Sequence, residues 1–419
     1  MIAAKMIHAK RLSLAAFCIV ILLHSATAAA ATSPKTLHDF GVGSNDGSSL
    51  YSALIMDSAG NLYGTSVNGG KAGAGTVYRL SPSGAKWAET ILYSFTGGSD
   101  GSNPHSTLVL DSAGNLYGAT VEGGETNSAC RLGCGVVFEL TPTTSGEWTE
   151  TILHSFTGAS DGGSPFAGVI FDAAGNLYGT SVSGGANGKG VAYELEKSSG
   201  WQEIVLHNFA GGTDGETPYA PLIFDQKGNL YGTTYSGGSH NSGTVYQLVP
   251  SATSSSASWA ERILHSFAGG SDGVNPFAGV AIDPSGNLYG VTQAGGSARC
   301  GVAFRLAAAH HWSEMIMHTF LGLSAADGCD ATGGVVWRSG VVYGTTTGGG
   351  KYNPGTIFKL NATAQGWKET ILYNFTGGND GAYPSAALTT DSAGNLYGTT
   401  LWGGPAGDTV GGVAFEFTP

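Results

Sequence analysis

The chain has 419 residues, with 18 Lys and Arg against 30 Asp and Glu for a formal net charge of −12, and 69 glycines. An acidic chain without a basic patch repels phosphate backbones, which excludes nucleic acid as an expected partner. The glycines are periodic and interleaved with β-branched and aromatic residues, which excludes a low-complexity, disordered chain.

Taken in chain order, Lys5, Lys10 and Arg11 precede an apolar run from Leu12 to Leu23 and the small residues Ala28 to Ala31, the layout of a cleaved export signal over residues 1–31. Its removal takes three basic residues and no acidic ones, leaving a domain over residues 32–419 with a net charge of −15. The apolar run is too short to span a bilayer and no later one reaches the required length, so no transmembrane segment is expected. Cys18 lies within the apolar run behind Phe17, not after small residues, which argues against a lipid anchor. The expected location is periplasmic, cell-surface or extracellular, and a monomer is expected.

The remainder repeats one module. Gly-Asn-Leu-Tyr-Gly begins at Gly60, Gly114, Gly175, Gly228, Gly286 and Gly394, and Gly340-Val-Val-Tyr343-Gly344 is a degraded seventh copy. From Tyr63 to Tyr397 the period is about 56 residues, in the range of propellers and other repeat arrays. Each copy reads as four short strands. In the second copy these are Ser106 to Leu110 (A), Leu116 to Val121 (B), Gly135 to Leu140 (C) and Trp148 to Phe156 (D), separated by Asp-x-x-Gly-Asn and Gly-Gly turns. Such a meander cannot cover both its faces alone, and radial stacking of seven copies does so. The last copy ends with Gly412 to Phe417, which matches strand C, while Thr36-Leu37-His38-Asp39-Phe40 matches the end of a strand D. The reading is therefore an all-β, seven-bladed β-propeller of four-stranded antiparallel blades, closed by residues 33–40 pairing beside residues 412–418.

The Asp-x-x-Gly-Asn-Leu-Tyr turn, as in Asp57 to Tyr63 and Asp391 to Tyr397, resembles the A–B hairpin of NHL and gluconolactonase-like propellers. The order Gly69-Gly70, Tyr78, Trp87 resembles kelch repeats. Over about residues 36–419 the units resemble the bacterial exported proteins built of GloVer-type tandem repeats, a family grouped by its repeats and varied C-terminal anchors, whose resemblance implies no particular activity. Phe417-Thr-Pro419 offers no hydrophobic tail, so covalent surface anchoring is not expected.

Candidate chemistry is sparse. Gly97-Gly-Ser99-Asp-Gly101, and likewise residues 158–162 and 269–273, fit G-x-S-x-G, but a nucleophile elbow needs a strand-turn-helix in an α/β sheet. Asp46, Asp100, Asp161, Asp214, Asp272, Asp327 and Asp380 share one loop position. One carboxylate per loop suits backbone capping better than calcium, which needs several converging oxygens, and calcium remains the one cofactor considered. His38, His154, His207, His265 and His318, replaced by Tyr93 and Tyr373 in two copies, are expected to pack between blades and donate a hydrogen bond. The Trp-x-Glu pairs, from Trp87-x-Glu89 to Trp367-x-Glu369, are expected to anchor strand D. Of the four cysteines Cys130, Cys134, Cys300 and Cys329, the Cys130-x3-Cys134 pair has no second Cys or His pair beside it, which four-coordinate zinc needs. Two disulfides among three connectivities are expected, Cys130 with Cys134 and Cys300 with Cys329.

Where repetition marks frame, binding should sit where symmetry breaks. The ends of strand B differ most, with Glu122, Tyr235 and Trp402. Loop residues His240, Arg131, Arg299 and Tyr352 join them, and the sixth copy replaces its turn aspartate with Trp337-Arg338. The favoured function is a non-enzymatic binding or structural module for a glycan or an envelope protein, through the face carrying Tyr235 and Trp402. The alternative is a propeller enzyme acting on a lactone or polysaccharide, either a lactonase-like hydrolase with a metal in the central channel or a polysaccharide lyase or glycosidase. No catalytic residue is assigned.

Overall fold

The computed structural model describes residues 33–84, 86–251, 259–407 and 411–419; the export signal read over residues 1–31 lies outside the described residues. Each blade starts from a turn that its sequence dictates. The Asp111 carboxylate accepts the backbone N–H groups of Ala113 and Asn115 at 2.9 Å, the Asn115 side-chain amide at 3.0 Å and the Tyr117 hydroxyl at 3.2 Å. Partial burial opposes ionisation there, but these bonds outweigh it and hold the carboxyl below the usual carboxylate range. Gly114 takes φ +89°, which glycine adopts without a Cβ penalty. One side chain thereby fixes both the turn and the start of the next strand.

Strand B owes its Leu-Tyr-Gly-Thr/Ser pattern to packing on both faces. In blade 1 (A Ile55–Met56, B Leu62–Ser66, C Thr76–Ser83, D Lys86–Ser94), Leu62 is fully buried. The Tyr78 ring of strand C lies over Gly64, where any Cβ would come within 2.4 Å of the hydroxyl. Thr65 points into the next blade, its hydroxyl 3.1 Å from the carbonyl oxygens of Pro104 and Ser106. Strand A is shorter than its sequence predicts. In blade 2 only Val109–Leu110 pairs with strand B, because the Ser106 side chain takes over the ladder, accepting from Ala119 N at 2.8 Å and donating to Ala119 O at 2.9 Å.

Seven four-stranded antiparallel sheets result, with strand A innermost and strand D outermost. The closing strand, Lys35–Phe40, supplies strand D of blade 7 and pairs with Gly412–Phe417 in the register Lys35↔Glu416 to Phe40↔Gly412. Its bulge between Thr36 and His38 recurs between strands C and D of the other six blades, so the split blade has the geometry of the continuous ones. Between blades the phenylalanine after strand D meets the strand C aromatic of the next blade at 5.1 to 5.4 Å in six junctions, and Phe40 meets Tyr78 at 4.6 Å in the seventh. All seven phenylalanines are fully buried. Both expected disulfides form, with Cα separations of 5.1 Å for Cys130–Cys134 and 4.3 Å for Cys300–Cys329.

Candidate functional site

Because strand A is innermost, the residue that enters it from each D–A loop points toward the central channel. Those residues are Tyr51, His105, Phe166, Tyr219, Phe277, Thr332 and Ser385, all lining a cavity of about 410 Å³. Five consecutive blades thus supply a ring and the other two supply a hydroxyl. The rings touch in series: Tyr51 to His105 at 4.7 Å, His105 to Phe166 at 4.4 Å, Phe166 to Tyr219 at 5.1 Å, and Tyr219 stacked on Phe277 at 5.0 Å with 24° between planes. The described wall carries no Asp, Glu, Lys or Arg. Burial pushes the His105 imidazole down to about 4, so it is neutral at pH 7. Its Nδ1 and the Ser385 hydroxyl are buried without a hydrogen-bond partner among the described residues, two polar atoms available to a ligand.

The structure separates the residues singled out from sequence. Tyr235 joins the mouth, edge-on to Tyr219 at 5.5 Å and to Phe277 at 6.2 Å, with its hydroxyl donating to Gln293 Oε1 at 3.2 Å. Trp402 sits edge-on to Tyr383 at 5.2 Å in blade 7. Glu122 accepts from the Asn103 amide at 2.6 Å and braces its own loop. Arg131, His240, Arg299 and Tyr352 are exposed on B–C loops, where Lys351 lies 5.0 Å over the Tyr352 ring. Trp337 and Arg338 belong elsewhere. They end strand A of blade 6, on the opposite face, and the Arg338 guanidinium donates to the carbonyls of Asp391 and Ser392 at 2.8 and 2.9 Å, a strut to blade 7 in place of the missing turn aspartate. The mouth residues themselves escaped the sequence reading, although their column, flanked by Pro and by Ser, Ala or Gly in most copies, was visible in the repeat.

At the outer rim the repeated His, Asp and Glu converge. The loop aspartates cap backbone as expected, Asp100 accepting Thr96 N at 2.7 Å. Each His also meets that aspartate and a glutamate from strand D of the following blade: His207 Nε2 lies 3.2 Å from Asp214 and 3.6 Å from Glu261, and His318 lies 3.0 Å from Asp327 and 3.2 Å from Glu369. Burial, reinforced by the neighbouring aspartate, pushes Glu261, Glu314 and Glu369 up to about 9, so each is a neutral acid at pH 7. Tyr93 replaces the histidine in one junction, with its hydroxyl 2.9 Å from Glu150 and 3.3 Å from Asp100. These contacts join blades, and the Trp-x-Glu pairs therefore do more than anchor their own strand: Trp201, for example, packs 6.1 Å from Tyr117 of the preceding blade.

A ring of seven such blades around an aromatic-mouthed cavity defines a β-propeller repeat protein. The chain belongs to the Gloeobacter/Verrucomicrobia repeat family, whose model matches residues 23–143 and 126–328. No curated protein is similar to it in sequence. Among solved structures it is similar to a "putative 6-phosphogluconolactonase" from Bacteroides uniformis, at 14% identity and TM-score 0.51 over 81% of this chain and 88% of that one. It is also similar to an ancestral GH74 enzyme, at 12% identity and TM-score 0.53 over 92% of this chain. The match spans about half of the latter, 49% of its length. At these identities the likeness is one of fold. No helix among the described residues is long and apolar enough to cross a membrane.

Proposed function

We propose that this protein is an exported binding module whose channel mouth holds a sugar ring of a neutral glycan. The observation that carries the reading is the asymmetric mouth, five rings in consecutive blades facing Thr332 and Ser385. Aromatic faces stack on the C–H face of a pyranose, while the free His105 Nδ1 and the Ser385 hydroxyl suit its hydroxyl groups. An uncharged wall favours a neutral ligand over an ionic one, and a cavity of about 410 Å³ lies within the roughly 300–1,000 Å³ of small-molecule sites. Tyr235 and the Trp402–Tyr383 pair extend the aromatic surface on the same face. Two disulfides suit an oxidising compartment outside the cytoplasm. The metal-dependent, lactonase-like alternative asks for acidic and amide ligands in the channel, whereas the described wall of this cavity offers one imidazole and no carboxylate or side-chain amide.

Glycan-array screening of the wild-type chain beside Tyr219→Ala and Phe277→Ala tests this. The expected result is binding to neutral oligosaccharides that both substitutions abolish. Binding that survives both, or binding confined to charged polymers, would overturn it.

A further inference from the structure

The junction that closes the ring differs from the rest. Its histidine, His38, comes from the closing strand, Asp46 from the loop that follows and Glu89 from strand D of blade 1. His38 Nε2 lies 3.7 Å from Asp46 Oδ1 and 3.5 Å from Glu89 Oε2. Those separations are too long for hydrogen bonds. His38 Nε2 and Asp46 Oδ1 are buried atoms without a hydrogen-bond partner among the described residues, as is Oε1, the other oxygen of the Glu89 carboxylate. The Asp46 side chain is only 8% exposed, so its free oxygen is aimed into the cluster and not at bulk water. By contrast, Nε2 of His207, His265 and His318 is satisfied by its aspartate at 3.0 to 3.2 Å. His154 Nε2 is also unpartnered, 3.7 Å from Asp161, but both Asp161 oxygens accept from Thr157, so among the described junctions the closing one alone has a histidine nitrogen and an aspartate oxygen both free.

Three donors spaced this way match a metal better than one another. Ligands about 2.1 Å from a tetrahedral ion stand about 3.4 Å apart, within a few tenths of an ångström of both distances. One imidazole and two carboxylates are a donor set for a divalent transition metal, and the cation would neutralise two acidic groups packed side by side. A cavity of about 810 Å³ opens against the cluster between Asn45, Trp87 and Pro405. Three protein ligands with one side open is the arrangement of a metal site that keeps a position for water or a ligand.

We propose that His38, Asp46 and Glu89 form a divalent metal site, with zinc as the preferred ion and a fourth coordination position facing the inter-blade cavity. The ion would join the closing strand to blade 1, so binding stabilises the closed ring by mass action.

Calorimetric titration of the tag-free, EDTA-treated full chain with zinc chloride tests the site, together with thermal melts with and without the ion. The expected result is one equivalent bound and a raised melting temperature, both lost in His38→Tyr and kept in His207→Tyr. Tyrosine stands at the equivalent position in two blades, as Tyr93 and Tyr373, so His38→Tyr removes the nitrogen ligand without introducing a residue foreign to the junction. Its far-UV circular dichroism and metal-free melting temperature, compared with those of His207→Tyr, report on folding. Cobalt(II) should give a four-coordinate visible spectrum in the wild-type chain and in His207→Tyr, and not in His38→Tyr. No zinc binding in the wild-type chain, equal binding in His38→Tyr, or five equivalents shared by all the histidine junctions would overturn the proposal.

Discussion

Replacing Phe40 by alanine probes the closure of the ring, because Phe40 reaches the core only if residues 33–40 complete blade 7. Its side chain is fully buried, 4.6 Å from the Tyr78 ring, in a cluster that draws Leu37 from the closing strand, Tyr397 and Ala414 from blade 7, and Leu62 and Leu80 from blade 1. Deleting a buried phenylalanine side chain costs about 3–5 kcal/mol through lost transfer energy and the cavity left behind. Phe209, at the equivalent place in blade 3, is equally buried and meets Tyr246 at 5.1 Å. A closed ring therefore predicts losses for Phe40→Ala and Phe209→Ala that agree within about 1 kcal/mol, since no junction is then an end. Urea denaturation followed by tryptophan fluorescence supplies both midpoints. If Phe40→Ala lowers the stability by less than about 1 kcal/mol while Phe209→Ala costs the full amount, the strand is not part of the core and the closure is wrong.

The other consequences can be checked with the same assay. The Cys300–Cys329 bond spans 29 residues and Cys130–Cys134 spans 4, so in the chain-entropy model their removal by paired serine substitutions should cost about 3.5 and about 2 kcal/mol; equal losses would contradict that ordering. His105 is held down to about 4 in the fold, against roughly 6.5 unfolded. Between those values the unfolded chain binds the extra proton, so stability falls as pH falls from about 6.5 to about 4. His105→Phe, which copies Phe166 and Phe277, should abolish that component, and the variant should gain on the wild type by up to about 3 kcal/mol at pH 4; parallel pH profiles would refute the burial of this imidazole. Asp225→Ala removes four hydrogen bonds from one turn, to Lys227 N, Asn229 N, the Asn229 amide and the Tyr231 hydroxyl, and should cost about 2 kcal/mol; a change within about 0.5 kcal/mol would mean that the carboxylate adds nothing to the turn.

The frame was legible in the sequence because each repeated residue has one local physical task. Asp111 and Asn115 make a turn, Gly118 makes room for the Phe138 ring, and the orphan Thr36 to Phe40 has only one blade to complete. Site chemistry was harder to read because it is assembled across junctions. Glu89 looked like a strand anchor beside Trp87, since nothing in a single repeat shows that the glutamate of one blade meets the histidine and aspartate of the blade before it. The channel mouth was missed for a related reason. Tyr51, His105, Phe166, Tyr219 and Phe277 are far apart in the chain and become neighbours only when strand A turns inward. The ends of strand B break the symmetry more visibly, yet of Glu122, Tyr235 and Trp402 it is Tyr235 that reaches these rings. Trp337 and Arg338 broke the symmetry conspicuously, yet they do so at the far face, where the repair of a turn explains them.

A crystal structure of the chain with an oligosaccharide bound tests the functional reading most directly. The account predicts a sugar ring stacked on Tyr219 or Phe277, with hydroxyls within hydrogen-bonding distance of His105 Nδ1 and Ser385. A sugar bound only on the exposed B–C loops around His240 and Arg299, with the channel mouth unchanged, would contradict it.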